Sequence, residues 1–370
     1  MEMRRLGRTG LDVGAIGLGT EYLVEVERET VISVVREAVE RGVTYFDVLF
    51  AYPHYRDNFG AAFAGLRDRI LIAGHLGAAE QDGQYRMTRD LAECEAFFDD
   101  LLRRLGTDHV DVVFLSNCDE PDDYEGVMGP AGLLELARKL REAGKARWIG
   151  FSGHRVPVSR RAVDSGAVDV LMHAVNLSGD AAEGRKDLYH ACAARDVGLI
   201  AMKPFGGGAL LAGYGPNDPA ARPFGGDVAL PQRPTPVHCL SYALAQPGAA
   251  MAVPGVKNVA ELHAALATLN ADEQARDFSA VLRMFRDGMD GQCVYCNHCQ
   301  PCPAGIDIGK TIRLADTAGR GGAAALADAY RCLPARASDC IECGQCTQRC
   351  PFGVDVIAAM RRAAKTFDDA

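Results

Sequence analysis

The 370-residue chain has one Trp and no apolar run approaching the ~18 residues that a membrane-spanning helix needs. No hydrophobic stretch follows the opening MEMRR. Nothing therefore directs the chain to a compartment where disulfides form, and a cytoplasmic location is expected. Positive charge is also short: 40 Lys and Arg face 49 Asp and Glu, a net charge of −9. The deficit lies before residue 286, because residues 286–370 carry ten basic and ten acidic side chains. Such a balance makes nucleic acid a poor candidate partner. Nucleic acid and membrane are therefore not expected as partners, and the 48% hydrophobic content is that of a globular chain.

Cysteine is scarce until near the end and then dense. Eight of the thirteen occur in two runs, CVYCNHCQPCP at 293–303 and CIECGQCTQRCP at 340–351. The second has the CxxCxxCxxxCP spacing of bacterial ferredoxins, in which three cysteines wrap one iron–sulfur cube and the fourth, before Pro, ligates the other. On that pattern Cys293, Cys296, Cys299 and Cys350 form one [4Fe-4S] ligand set, and Cys340, Cys343, Cys346 and Cys302 the other. Zinc is the rival for paired CxxC, but it does not ordinarily need a third cysteine at the same step and a fourth before Pro, twice over. The scattered Cys94, Cys118, Cys192, Cys239 and Cys332 are expected to be small buried apolar residues.

Before the cysteine runs, short apolar segments alternate with amphipathic ones, the pattern of parallel strands joined by helices. Eight strands are predicted, at 15–19, 44–48, 70–74, 111–115, 148–152, 169–173, 198–203 and 250–254. Helices fit between them, such as 28–41 with Val31, Val34, Val35, Ala38 and Val39 on one face. The economical closure is a (β/α)8 barrel over residues 1–285, followed by a small, mostly helical ferredoxin-like domain over 286–370. A doubly wound open sheet is the runner-up, weakened because no GxGxxG follows the first strand. The Gly- and Pro-rich loop at 213–234 is long for a barrel connection and is expected over the active-site face.

Barrel chemistry sits at the C-terminal ends of the strands. Those ends offer Asp47 and Tyr52 after the second, His75 after the third, His154 after the fifth and Lys203 after the seventh. An Asp near Tyr, His and Lys suits proton transfer. The bland alternative is that Asp47 ties down a loop and Lys203 pairs structurally.

RRLGRTGLDVGAIGLGT, YFDVLFAY, RRLGTDHVDVVFL, GKARWIGFSGH, IAMKPFGGG and VPGVKNVAEL, in this order and spacing, resemble the aldo-keto reductase family. The cysteine-rich end resembles one bacterial subgroup of it. The resemblance implies a carbonyl reduced to an alcohol, NADPH as hydride donor, and a proton-donating Tyr supported by Asp, Lys and His. Asp47 and Tyr52 match the first pair. His75 stands at the Lys position and Ser116 at the His position. Of the groups that would hold the nicotinamide, Ser152 matches, while Gly153, Met172 or His173, and Met202 depart from the pattern. Backbone amides of Gly206, Gly207 and Gly208 are expected near a pyrophosphate, with Lys257 and Asn258 at an adenosine phosphate and Lys203 orienting substrate or cofactor.

A neutral imidazole at 75 would do less than an ammonium to acidify Tyr52. Clusters carry single electrons whereas NADPH carries hydride. The expectation is an oxidoreductase acting on a small-molecule substrate, with two [4Fe-4S] clusters as an electron relay, NADP(H) as cofactor and a redox partner protein. Two other functions remain open at this point. One is a redox-neutral lyase or epimerase with structural clusters, and the other an electron carrier or iron–sulfur sensor.

Overall fold

The computed structural model describes residues 1–116, 118–179, 182, 184–208, 210–211, 234–286, 293, 299–318, 323–350 and 353–368. Eight parallel strands form one sheet: β1 (Leu18–Gly19), β2 (Tyr45–Val48), β3 (Leu71–Leu76), β4 (Val110–Ser116), β5 (Ala146–Gly153), β6 (Val170–Ala174), β7 (Gly198–Met202) and β8 (Ala249–Val253). They neighbour one another in chain order. The two ends meet through parallel bridges, Ile16 with Ala252 and Gly19 with Gly255, and the Gly17 amide donates to the Ala252 carbonyl at 2.9 Å. The sheet thus closes as an eight-stranded barrel. The open-sheet alternative is not what forms.

Helices follow the strands as the amphipathic spacing predicts. Helix α1 (Arg28–Glu40) buries Val31, Val34, Val35, Ala38 and Val39, and full burial of each valine is worth about 1.5 kcal/mol or more. Helix α3 (Leu91–Leu105) opens on Asp90, whose carboxylate accepts from the Glu93 amide at 2.8 Å, and stops at Gly106 with φ +65°. Helix α2 (Pro53–Phe63) begins with Pro, so Tyr52 becomes its extended N-cap residue.

Side chains alternate across a strand. Tyr45, Ala73, Val112, Phe114, Val170, Met172, Ile200, Met202, Met251 and Val253 pack together as the barrel interior, with Trp148 against them. Counting on by twos, Asp47, His75, Ser116 and Ser152 also face inward, at or near the C-terminal ends of their strands. The same parity turns His173 outward, where its Nδ1 meets Ser159 Oγ at 3.2 Å on helix α5 (Val156–Asp164).

Contacts divide the chain into two compact units. One comprises Met1–Asn176, Glu183–Pro204 and Pro236–Asp277; the other comprises Leu177–Ala182, Phe205–Thr235 and Phe278–Ala370. The second unit includes helices α9 (Ile308–Ala318), α10 (Ala323–Arg331), α11 (Gln345–Arg349) and α12 (Val356–Phe367). Its core gathers Ile306, Ile308, Ile312, Tyr330, Val354, Val356 and Met360 with the cysteines Cys299 and Cys346. Tyr330 stacks on Phe367 at 4.4 Å and donates to Asp368 at 2.8 Å. The 213–234 loop falls, except for its last residue, outside the described residues. Among the described residues no helix is long and apolar enough to cross a membrane.

Candidate active site

One polar arrangement on the barrel's inner face links three strands. His75 on β3 places Nε2 2.7 Å from Asp47 Oδ1 on β2 and Nδ1 2.5 Å from Ser116 Oγ on β4. The imidazole is buried and lies against the Phe114 ring, centroids 5.1 Å apart. Asp47 is pinned from behind, its backbone carbonyl accepting from the Thr20 hydroxyl. That hydroxyl also bonds to Tyr55.

Tyr52 stands apart from this chain of bonds. Its phenol is raised by burial, an effect opposed by a hydrogen bond with the backbone of Tyr85 and reinforced by Glu25 and Glu80. Its ring packs on Phe50 and His54. Among the described residues no hydrogen bond joins Tyr52 to Asp47 or His75. The cause is local: Pro53 starts α2 at once, and a hairpin, Ala78–Gln81 with Gln84–Met87, presents Tyr85 beside it. The tyrosines whose surroundings include the Asp47 charge are Tyr45 and Tyr55, both pushed far above the usual phenol range, by burial foremost. Tyr55 is the one held by Thr20. Fully buried and bonded to Thr20, it is suited to holding structure.

A second polar group lies just beyond the ends of β4 and β5. His154 Nδ1 is 2.7 Å from Asp119 Oδ2, and its amide donates to Asp119 Oδ1 at 2.5 Å. Burial raises the Asp119 carboxyl, but the His154 charge and these bonds outweigh it and hold the group at about 2. Burial, the Arg185 guanidinium and His154 push His173 down to about 3. Asp119 and Arg185 escaped the sequence reading, since an acid just beyond a strand and an arginine opening a helix carry no distinctive motif. The hairpin did have a signal, Asp82–Gly83, with positive φ at both residues.

The nucleotide candidates are dispersed. Ser152 is buried and inward, registered opposite both Ser116 and Met172. Lys203 has φ +53°, and its carbonyl accepts from Asn176 Nδ2 at 3.1 Å. Lys257 is exposed, its ammonium 5.8 Å from the Tyr22 ring centroid. Asn258 is engaged as the N-cap of α8 (Val259–Leu266), its Oδ1 accepting from the Glu261 amide at 2.9 Å. Met172 and Met202 line the interior, so at these two positions no amide is available to a carboxamide. In the second unit Gly206, Gly207 and Gly208 all have positive φ, and the Gly208 amide is committed to the Phe205 carbonyl at 3.0 Å.

Of the eight clustered cysteines, Cys296 lies outside the described residues. Cys302, Cys340, Cys343 and Cys346 line a single recess with Pro301, Ile306 and Met360. Cys293 and Cys350 pack partly buried beside the buried Cys299 and Cys346. Arg349 ties the two runs together, donating to the carbonyls of Cys299 at 3.2 Å and Pro301 at 2.7 Å. Among the described residues no three His, Cys, Asp or Glu side chains are grouped so as to hold a single metal ion. Of the scattered cysteines, Cys94, Cys118, Cys192 and Cys239 are buried as expected. Cys332 is exposed, because α10 has ended one residue before it.

The model of the aldo/keto reductase family matches residues 11–283, most of the chain. The chain belongs to the aldo/keto reductase family. It is an oxidoreductase of that type, as the family assignment implies. The L-galactose dehydrogenase of Arabidopsis thaliana is 25% identical over 288 residues, covering 71% of this chain and 86% of that protein. Among solved structures, a holo aldo-keto reductase from Bacillus halodurans superposes with a TM-score of 0.62 at 20% identity, over 77% of this chain and 96% of its own. A protein from Pseudomonas aeruginosa assigned to the aldo-keto reductases gives 0.57 at 21%, over 74% and 96%. At such identities these two likenesses speak to the barrel fold.

Proposed function

We propose that this aldo/keto reductase family member is an iron–sulfur oxidoreductase that interconverts a small carbonyl compound and its alcohol at the C-terminal mouth of the barrel. The observation that carries the reading is the inward-facing Asp47–His75 pair at 2.7 Å. It stands where barrels perform chemistry and is built of groups that take and return protons near neutrality. Asp47 orients the imidazole through that bond. His75 is the acid or base. Tyr52, the family's proton donor by position, walls the site with a phenol made less acidic by burial.

The cysteine runs are proposed to hold two [4Fe-4S] clusters, which when bound supply one-electron transfer. Cys302, Cys340, Cys343 and Cys346 around one recess are the set expected from crossed ligation. Cys293, Cys296, Cys299 and Cys350 would hold the other cluster. NADP(H) fits best at its adenosine end, where the exposed Lys257 adjoins the α8 N-terminus. Lys203 is a proposed contact for the rest of the nucleotide. A cytoplasmic location and a soluble redox partner complete the proposal.

The test is elemental analysis and turnover of the full chain purified without oxygen. About eight irons and eight acid-labile sulfides per chain are expected, with p-nitrobenzaldehyde reduced by NADPH in wild type and far more slowly in Asp47→Asn and His75→Gln. Zinc in place of iron would remove the cluster assignment. Unchanged turnover in both variants would remove the site assignment.

A further inference from the structure

Both ring nitrogens of His75 are already engaged, one by Asp47 and one by Ser116. An imidazole has no third polar atom. The ring is moreover buried, its face covered by Phe114. A substrate oxygen therefore cannot bond directly to His75 in this arrangement, and a proton must travel through one of the two neighbours. As a carboxylate, Asp47 can only accept, so Nε2 carries a hydrogen in both states of the ring. The nitrogen whose hydrogen comes and goes is Nδ1, which faces Ser116.

A hydroxyl is suited to that position because it both donates and accepts. It donates to a neutral Nδ1 and accepts from a protonated one. In the second state its own hydrogen is free to turn towards the barrel interior, where Ser152 stands at the same level on the next strand. We infer that the Ser116 hydroxyl is the outlet through which His75 exchanges its proton with the substrate, an inference that rests on the proton-transfer role proposed above for Asp47 and His75. In the oxidising direction the substrate O–H bond breaks and its proton bonds to Ser116 Oγ, while the proton of Ser116 bonds to His75 Nδ1. The electron pair of the broken bond stays on the substrate oxygen and closes the C=O bond as the carbon's hydride leaves to a nicotinamide acceptor, and the new imidazolium lies beside Asp47. In the reducing direction the carbonyl carbon takes hydride from a nicotinamide donor, the same two proton transfers run backwards, and an alcohol is left. Ser152, buried and without a hydrogen-bonding side-chain partner among the described residues, is placed to hold that oxygen.

The test compares His75→Gln, Ser116→Ala and Ser116→Thr in the anaerobically purified full chain, with p-nitrobenzaldehyde and NADPH as the probe pair. Losing a positioned proton-transfer group costs roughly a hundredfold or more in kcat. Ser116→Ala is expected to fall that far and to lose the His75-dependent limb of the pH profile. Ser116→Thr, which keeps the hydroxyl, stays within about tenfold of wild type. A Ser116→Ala enzyme with wild-type rate and pH profile, while His75→Gln is crippled, would overturn the outlet and leave the Asp47–His75 reading standing. Wild-type behaviour in all three would overturn both. A readout independent of turnover is the ¹⁵N spectrum of the histidine side chains, with His75 assigned by its absence in His75→Gln. Ser116→Ala should move the Nδ1 resonance and Ser116→Thr should not; an Nδ1 signal indifferent to Ser116→Ala also overturns the outlet.

Discussion

His75 lies flat against Phe114, ring centroids 5.1 Å apart and planes 24° from parallel, although the two stand on neighbouring strands of the barrel interior. The phenyl ring has room because the residue registered beside it on β5 is Gly150, where an added Cβ would fall 2.3 Å from a Phe114 ring carbon. The His75 imidazole is thus seated on a ring that only glycine admits.

Gly150→Ala should therefore act at a distance. Overpacking a close-packed interior costs about 1–3 kcal/mol, so the urea midpoint should fall. Displacement of Phe114 should also perturb the His75 nitrogen resonances. A variant of unchanged stability and unchanged His75 signals would show that the contact is dispensable.

His173 makes the barrel sensitive to acid. Burial, Arg185 and His154 hold it at about 3 in the folded chain, whereas unfolded histidine titrates near ~6.5. Between those values the unfolded chain binds the extra proton, so stability falls as pH falls through that window, by at most about 1.4 kcal/mol per pH unit. Replacing His173 by Gln should flatten the slope of unfolding free energy between these pH values. An equal slope in both proteins would assign the acid sensitivity elsewhere.

Tyr52→Phe separates this chain from the expectation its family resemblance raises. With the hydroxyl bonded to the backbone of Tyr85 and none of its bonds reaching Asp47 or His75, its loss should lower kcat by less than about tenfold, against the roughly hundredfold or more expected for a proton-transfer group. Loss as deep as in His75→Gln would restore Tyr52 as the proton donor.

Crossed ligation predicts which cysteine variants behave alike. Cys302→Ser should damage the cluster lost in Cys340→Ser, and Cys350→Ser the one lost in Cys293→Ser, as read by electron paramagnetic resonance of the reduced protein. Pairing of Cys302→Ser with Cys293→Ser would mean that each run closes on itself.

The barrel was legible because eight apolar segments alternate with helices of clear periodicity. The observed strand β4 (Val110–Ser116) differs from its predicted bounds by one residue at each end. The site was legible only in part. Asp47 and His75 could be placed at strand ends, but their bond at 2.7 Å joins residues 28 apart, and His75 to Ser116 spans 41. Such pairings follow from strand register, which local pattern does not specify. Tyr52 lies outside this chain of bonds because spacing from Asp47 fixes a position on the chain, whereas the direction of its side chain is set by Pro53 and by a hairpin contributed from residues 78–87. Asn258, read as a phosphate contact, is occupied in capping α8, a role that its spacing to Glu261 already suggests.

The proposed function rests on electrons passing between the chemistry of a reductase barrel and the two proposed iron–sulfur clusters. The most direct measurement is a titration of the anaerobically purified full chain with NADPH, following nucleotide fluorescence and the visible absorbance of the clusters together. The account predicts that nucleotide oxidation and cluster bleaching proceed in step, with one NADPH reducing both clusters. NADPH consumed with a carbonyl probe while the clusters stay oxidised, or a chain without cluster absorbance, would contradict it.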